Sequence, residues 1–346
     1  MVGARCSKAG LPVAWGMPPD MPLVSVALCT WNGAEWLRAQ LDSILAQQDV
    51  RLEMVALDDA SSDASLDILR EYAARDPRLR VHANERNLGH LRSFEKCMAM
   101  CAGDFIAPAD QDDVWAPGKL RRLMDAIGEA DLAYCDSAYI DGDGRATGRR
   151  VSDDLPMHRG HAPLRYVFQN TVSGHAALLR REVLADALPF PPLLFHDWWL
   201  AIRAAAGRGV VYVDEPLVQF RRHAQNSSAM GKARANADRS RAQRRQARLT
   251  NASNRKWVAM RAHVARQYAA RPWRDHARAG DWADLFELAL GGQHPRLWPL
   301  IWRDRADLPP WSGSPAWNAL QFYFRCRRKF RRMRAEGEPT APIFTE

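Results

Sequence analysis

Hydrophobic residues in the first half of the chain fall into short runs separated by segments of helical repeat. Leu23-Val24-Ser25-Val26-Ala27-Leu28-Cys29 is almost continuously apolar, the mark of a strand buried on both faces. Asn32-Gly33 turns the chain, after which Trp36, Leu37, Leu41, Ile44 and Leu45 recur at helical spacing. Leu52 to Leu57 predicts a second strand that ends at Asp58-Asp59, and Ser62-Asp63 supplies N-cap oxygens for a helix through Leu66, Leu69 and Tyr72. A third strand spans Leu79–Ala83. Asn87-Leu88-Gly89 opens a helix over Leu91–Cys101, and Phe105-Ile106-Ala107 is a fourth strand feeding Asp110. Alternation of this kind predicts an α/β domain, a parallel sheet with helices on both faces.

The pattern changes after a helix at Lys119–Ile127. Leu132–Cys135 and Ser137–Ile140 predict strands, and Asp141-Gly142-Asp143-Gly144 predicts a hairpin turn. A calcium loop would need a Glu downstream that this segment lacks. Leu164–Phe168 and Ala176–Leu184 read as helical or mixed, with Gly174 between them. His196-Asp197-Trp198 opens a helix to Ala206, and Gly209–Val213 returns as a strand. These elements place a catalytic domain at 21–228, after a flexible leader at 1–20 for which Met21 is an alternative start. A mainly helical extension follows at 229–346. It is basic through Gly231–Lys256 and again at Phe322–Arg334. Between these stretches come Trp257, Trp273, Trp282, Trp298, Trp302, Trp311 and Trp317.

Composition adds three constraints. The 346 residues are 47% hydrophobic, enough for at least one full core. Net charge is +9 although the conspicuous clusters are acidic, so the excess base sits in the C-terminal third and suits nucleic acid, anionic lipid or phosphorylated ligands. The six cysteines form no CxxC pair and no His-interleaved metal pattern, and Cys97 and Cys101 read as core neighbours on one helix. Free thiols fit a reducing cytoplasm. No apolar run approaches the roughly 18 residues that span a bilayer.

The chemistry is carried by polar clusters at the apparent strand ends, where an α/β protein presents side chains to a ligand. Asp110-Gln111-Asp112-Asp113 places hard oxygen donors on a tight loop between apolar stretches, a donor set suited to Mn²⁺ or Mg²⁺ and through it to a diphosphate. Asp58-Asp59 can accept hydrogen bonds from a base N–H and ribose hydroxyls. Thr30-Trp31-Asn32 can complete a nucleoside pocket. His196-Asp197-Trp198-Trp199 joins a candidate general base to aromatic platforms for a sugar. Arg221-Arg222-His223 offers an imidazole ligand beside two phosphate-seeking cations.

In order along Pro22–Ser228, these motifs resemble the family-2 glycosyltransferases, inverting enzymes of the GT-A fold. The resemblance is carried by Ser25-Val26, Cys29-Thr30-Trp31-Asn32-Gly33, Asp58 to Asp63, Asn87-Leu88-Gly89, Asp110 to Trp115 with Lys119-Leu120, then Gly174, Asp197 and His223. The form Asp-Gln-Asp-Asp-Val-Trp with His-Asp-Trp-Trp is most similar to the bacterial rhamnosyltransferase branch. The resemblance implies a Rossmann-like domain for a nucleotide-diphospho-sugar. Thr30, Trp31, Asp58, Asp59, Arg86, Asn87 and Asp110 would be at the donor, Asp112 and His223 at a Mn²⁺ or Mg²⁺ ion, and Asp197 would be the catalytic base. Gly174, His175, His196, Trp198 and Trp199 would lie on the acceptor side. His196 and His175 stand where the family more often has Glu and Cys. It further implies a cytoplasmic enzyme of surface polysaccharide synthesis, acting on a glycan or polyprenyl-linked acceptor and not on nucleic acid. Peripheral contact with the inner membrane would run through the basic region.

Two rivals remain at this level. A nucleotidyltransferase would share the crevice and the metal but normally brings a Gly-rich phosphate loop after the first strand, and Thr30-Trp31-Asn32-Gly33-Ala34 is not one. A non-enzymatic binder of anionic surfaces would rest on the basic region alone and would show steep salt dependence.

Overall fold

The computed structural model describes residues 21–223, 252–309 and 314–334. The predicted leader at 1–20, the domain end at Ser228, the basic stretch up to residue 251 and Trp311 lie outside these residues. The first half follows the predicted alternation. Strand β1 (Leu23–Thr30) is followed by α1 (Ala34–Leu45), β2 (Arg51–Asp58), α2 (Ser65–Arg75), β3 (Leu79–Ala83), α3 (His90–Ala99) and β4 (Phe105–Ala109). β1 pairs in parallel with β2 and with β4, and β2 with β3. Because successive side chains point to opposite faces, Val24, Val26 and Leu28 of β1 join Leu37, Leu41 and Ile44 of α1 in one core layer. Ala27, with Val55 and Leu57 of β2, joins Phe94 and Cys97 of α3 in the other.

The second half departs from a purely parallel sheet. β5 (Val114–Trp115), α4 (Lys119–Ile127), β6 (Leu132–Ile140), β7 (Ala146–Arg150), α5 (Pro163–Phe168), β8 (Ala177–Arg180), α6 (Leu184–Ala187), α7 (His196–Ala206) and β9 (Val210–Arg221) follow in chain order. Their sheet order is β3-β2-β1-β4-β8-β6-β9-β5, with β7 beside β6. β8 runs antiparallel to both β4 and β6, β5 antiparallel to β9, and β7 to β6. The segment read as helical or mixed at Ala176–Leu184 is thus partly a strand, and antiparallel neighbours need no helical crossover to reach it. The Asp141–Gly144 turn closes the β6–β7 hairpin through Gly144 N–H to Asp141 O and Arg145 N–H to the Asp141 carboxylate.

The C-terminal region is helical: α8 (Ala252–Ala269), α9 (His276–Leu290), α10 (Leu297–Arg303) and α11 (Pro315–Arg334). It shares its core with the sheet domain. Phe168 at the end of α5 sits edge-on to Trp282 and Phe322, with centroids 4.8 and 4.9 Å away, and Trp199 of α7 packs on Trp273 at 4.9 Å. Arg261 of α8 donates to Phe168 O at 3.0 Å.

Candidate active site

Register brings the motif residues to one edge. Thr30 is opposite Asp58 in the β1–β2 ladder, Asp58 is opposite Ala83 in β2–β3, and Leu28 is opposite Ala109 in β1–β4. The carboxyl ends of four parallel strands therefore release Thr30-Trp31, Asp58-Asp59, Asn84 to Asn87 and Asp110 side by side.

Three of the predicted donor residues, Thr30, Asp58 and Asp59, make ties beneath that edge. Asp58 is buried, and its carboxylate accepts from Thr30 Oγ1 (2.9 Å), Ser61 Oγ (2.6 Å) and Ser61 N–H (2.9 Å). Asp59, also buried, accepts from Asn84 Nδ2 and the Leu88 N–H, both at 2.8 Å, and from the Gly89 N–H at 2.9 Å. A buried carboxylate needs such donors. Thr30, Asp58 and Asp59 thus fix the loops that frame the crevice, at the edge where the nucleoside was expected. Trp31 is the exposed member, 55% accessible. Its N–H donates to Gln111 Oε1 and its carbonyl accepts from Gln111 Nε2, locking the β1 loop to the acidic loop. Arg86 and Asn87 lie exposed on the loop after β3, with Asn87 Oδ1 accepting the Gly89 N–H.

The acidic loop divides its side chains between two sites. Asp110 and the buried Asp113 flank the ring of His175, whose Nδ1 is 3.5 Å from Asp110 Oδ2 and 3.3 Å from Asp113 Oδ2. His175 Nε2 meets Ser137 Oγ at 3.1 Å. Burial disfavours a charge on His175, but Asp113 and Asp110 outweigh it and raise its pKa. Burial likewise opposes the charge on Asp110, yet hydrogen bonds from His175 and His90 hold its carboxyl far below the usual range. Burial also raises the Asp113 carboxyl. His175, expected on the acceptor side, is a clamp between two carboxylates. Behind it Lys119 is fully buried, donates to His175 O at 2.5 Å and caps the Trp115 ring 3.1 Å from the centroid. Burial pulls its pKa down to about 7.

Asp112 points the other way. Its Oδ2 is 2.7 Å from His223 Nε2, both side chains being about a tenth exposed, and the His223 ring packs on Trp36 at 4.0 Å. The structure thus joins the two residues predicted to hold a metal across 111 positions of sequence. Arg221 makes this possible and is not a phosphate ligand as expected. It is buried, with its N–H on Asp113 Oδ1 (3.0 Å) and its guanidinium on Asp112 O (2.9 Å) and Gly142 O (2.9 Å).

Two donor sets could therefore hold a cation. Asp110, Asp113 and His175 bring their ligand atoms within 4.8 Å of one another. That set is closed: Asp113 and His175 are buried, leaving only Asp110 open to a substrate oxygen. Asp112 and His223 offer one hard oxygen and one imidazole nitrogen at the crevice wall, a pair that fits Mn²⁺ or Mg²⁺ and leaves further positions open.

Asp197 stands in the first turn of α7. Its Oδ2 accepts the Gly174 N–H at 3.2 Å and its Oδ1 the Asn170 amide at 3.3 Å. Burial lifts its pKa to about 6; His90 lowers it and Asp110 raises it, which places both within electrostatic reach. His90, the first residue of α3, bridges the two halves of the site, with Nε2 4.0 Å from Asp110 Oδ1 and its ring 5.2 Å from that of His196. His196 is buried against Phe94 with centroids 4.1 Å apart, and burial brings its pKa down to about 3, so it is a neutral packing ring. Trp199 is wholly buried and gives its indole N–H to Ala187 O. Both residues, expected on the acceptor side, are thus buried in the packing behind Asp197. Trp198 is partly exposed, with its N–H on Tyr166 O at 2.7 Å.

Sequence reasoning passed over His90, Gln111, Asn84 and Asn170. Each is a single polar residue beside a recognised motif. Only His90 carried a signal, as an ionisable side chain at a helix start directly after Asn87-Leu88-Gly89.

Residues 25–188 match the model for Glycosyl transferase family 2. Over this segment, just under half of the chain, the protein resembles the family-2 glycosyltransferases. The chain is 32% identical over 218 residues to the putative glycosyltransferase EpsH of Bacillus subtilis, covering 59% of this chain and 62% of the relative. It is 31% identical over 158 residues to the putative teichuronic acid biosynthesis glycosyltransferase TuaG of the same organism, covering 44% and 60%. The aligned part spans about three-fifths of the length of these curated relatives. Among solved structures, S. aureus TarS 1–349 in complex with UDP-GlcNAc aligns with a TM-score of 0.56 at 17% identity, over 91% of this chain and 90% of that one. The mannosyltransferase PcManGT from Pyrobaculum calidifontis, in complex with GDP-Man and Mn²⁺, aligns with a TM-score of 0.50 at 15% identity, over 93% and 86%. At such identities these likenesses speak to fold alone. The sheet domain has the GT-A fold and carries a helical C-terminal region.

Proposed function

We propose that the chain is a metal-dependent inverting glycosyltransferase that moves a sugar from a nucleoside-diphosphate donor to a hydroxyl of a glycan or lipid-linked acceptor. The observation that carries this reading is Asp197. Its carboxylate is held by the Gly174 N–H and Asn170, raised to about 6, and within electrostatic reach of Asp110 at the donor edge. Such a carboxylate is ionised at neutral pH and basic enough to accept a hydroxyl proton as the bond forms. The acceptor oxygen attacks the anomeric carbon, the bond to the diphosphate oxygen breaks, and the proton ends on Asp197. One displacement inverts the centre, and no covalent nucleophile is needed. Asp112 and His223 would hold Mn²⁺ or Mg²⁺, and the ion supplies positive charge to the departing diphosphate. His90 and Asp110 line the way between donor and base.

The motif Asp110-Gln111-Asp112-Asp113-Val114-Trp115 favours a dTDP-rhamnose donor, and the relatives named for polysaccharide synthesis favour a bacterial surface glycan as product. Work on the cytoplasmic side, at the membrane that holds a polyprenyl-linked acceptor, follows from the same reading. The boundaries proposed for the catalytic domain are 21–228. The test is nucleoside diphosphate release from UDP-, dTDP- and GDP-sugars in the presence of a lipid-linked oligosaccharide fraction. Release by the native chain, cut by about 10²–10⁴-fold in Asp197→Asn, is the expected result. Undiminished release by that variant would remove Asp197 from the mechanism.

A further inference from the structure

The exposed side of α10 and α11 is unlike the rest of the helical region. In that region Arg266 pairs with Asp284 and Glu287, Arg278 with Asp304 and Asp307, and Arg303, at the end of α10, with Asp281 and Asp304. Helix α11 contains no Asp or Glu at all. Among the described residues, Arg327, Arg328 and Arg331 have no carboxylate within ion-pair distance. Beside them, Trp298 and Trp302 of α10 and Phe324 of α11 are 40%, 44% and 57% exposed. Trp298, Phe324 and the three arginines line one groove of about 1020 Å³ together with Arg296 and Tyr323, and Trp302 stacks on Trp298 beside it.

Helical spacing sorts α11 into two faces. Asn318, Ala319, Phe322, Cys326, Phe330 and Met333 are buried, whereas Trp317, Phe324, Arg328 and Arg331 fall on the opposite side. The helix is 20 residues and about 30 Å long, and the stripe from Trp317 to Arg331 takes about 21 Å of it. Its apolar members form a ridge. Trp298 stacks on Trp302 with centroids 5.6 Å apart and meets Tyr323 edge-on at 5.5 Å. Rings stacked on one another are poor separate platforms for nucleobases but suit the depth of lipid headgroups, where indoles and arginines are both at home. No helix among the described residues is long and apolar enough to cross a membrane, so the contact is with the surface.

We propose that the α10–α11 face docks on an anionic lipid bilayer, with Trp298, Trp302 and Phe324 entering the headgroup layer and Arg327, Arg328 and Arg331 pairing with lipid phosphates. The surface chemistry stands by itself, and the link to catalysis rests on the lipid-linked acceptor proposed above. The face carries the cationic and aromatic elements of an interfacial contact without the length of a spanning helix.

The test is co-sedimentation of the full chain with phosphatidylcholine vesicles, with and without phosphatidylglycerol. Two variants run beside it: Trp298→Ala/Trp302→Ala, and Arg327→Gln/Arg328→Gln/Arg331→Gln. All five positions are at the surface or in the groove, so circular dichroism should match the native chain. The native protein is expected to bind only the anionic vesicles. The triple Arg variant should bind about a hundredfold more weakly and the Trp variant should lose binding that persists at raised salt. No binding to anionic vesicles, or equal binding by the triple variant, overturns the proposal. Binding to a DNA duplex in place of vesicles, lost in the triple variant, overturns it in favour of a nucleic-acid face. Thermal shifts with nucleoside diphosphates, read on the same samples, report separately on the donor crevice.

Discussion

In the proposed role of base Asp197 must be ionised, yet it sits where burial favours its neutral form. With a pKa of about 6, kcat should fall about tenfold per pH unit below that value and level off above it. The sign for stability is the opposite one. A carboxyl raised in the folded state favours folding below its unfolded pKa of about 4, and that contribution is lost as pH rises through about 6. Asp197→Asn should therefore abolish the acidic limb of the pH–rate profile without lowering the melting temperature at pH 8. A profile that keeps the limb in the variant would assign it to another group. At this scale chemistry alone singled out Asp112, Asp197 and His223 in the sequence, and the structure sets Asp112 beside His223. Rotation about an element is what the sequence did not carry. Trp198 and Trp199 are adjacent letters, but one turn of α7 sends the first to the rim and the second into the core. Asp58 and Asp59 are a pair in the text, yet each is consumed by a different set of donors.

The element that holds Asp197 in place is the short turn at Gly174–Ala176, entering β8. Its first residue has no room for a side chain. A Cβ on Gly174 would lie 2.6 Å from His196 Nε2, and the His196 ring is backed by Phe94 at 4.1 Å and cannot recede. Gly174→Ala should thus push the turn away from α7, stretch the Gly174 N–H to Asp197 contact, and cost about 1–3 kcal/mol by chemical denaturation. Steady-state kinetics should show a lower kcat with the donor KM nearly unchanged. A drop in donor affinity instead would mean that the turn supports the nucleotide side. The parallel strands β1 to β4 were legible because a strand buried on both faces is written as continuous apolar text. β8 was not, since four residues between two turns carry too little periodicity to separate strand from helix. β9 runs to Arg221, well beyond the predicted Val213, because its later half pairs with β5 and with the far end of β6. That extension is what delivers His223 to Asp112.

Across the whole molecule, the helical region and the sheet domain are cemented by buried aromatics. Phe168 of α5 contacts Trp282, Phe286 and Phe322, and Trp199 contacts Trp273. Ending the chain after residue 223 would expose this shared core, so the truncated protein should aggregate or lack near-UV circular dichroism. Phe168→Ala should lower stability by about 3–5 kcal/mol in one cooperative transition. Two separate transitions would show that the helical region folds on its own. The sequence announced the composition of this region, basic and rich in Trp, but not the division of its tryptophans. Trp273 and Trp282 are buried, while Trp298, Trp302 and Trp317 face outward. Composition cannot make that distinction because it depends on which helix face meets α5 and α7.

The central claim is a nucleoside-diphosphate site whose affinity depends on a cation held by Asp112 and His223. Calorimetric titration of the full chain with UDP, dTDP, GDP and CMP, each with Mn²⁺ and with chelator, tests it directly, with Asp112→Ala alongside. The account predicts that one nucleoside diphosphate binds, that chelation weakens it by at least about tenfold, and that Asp112→Ala abolishes the metal dependence. Binding of the same strength with chelator and in the variant, or no binding of any of the four, would contradict it.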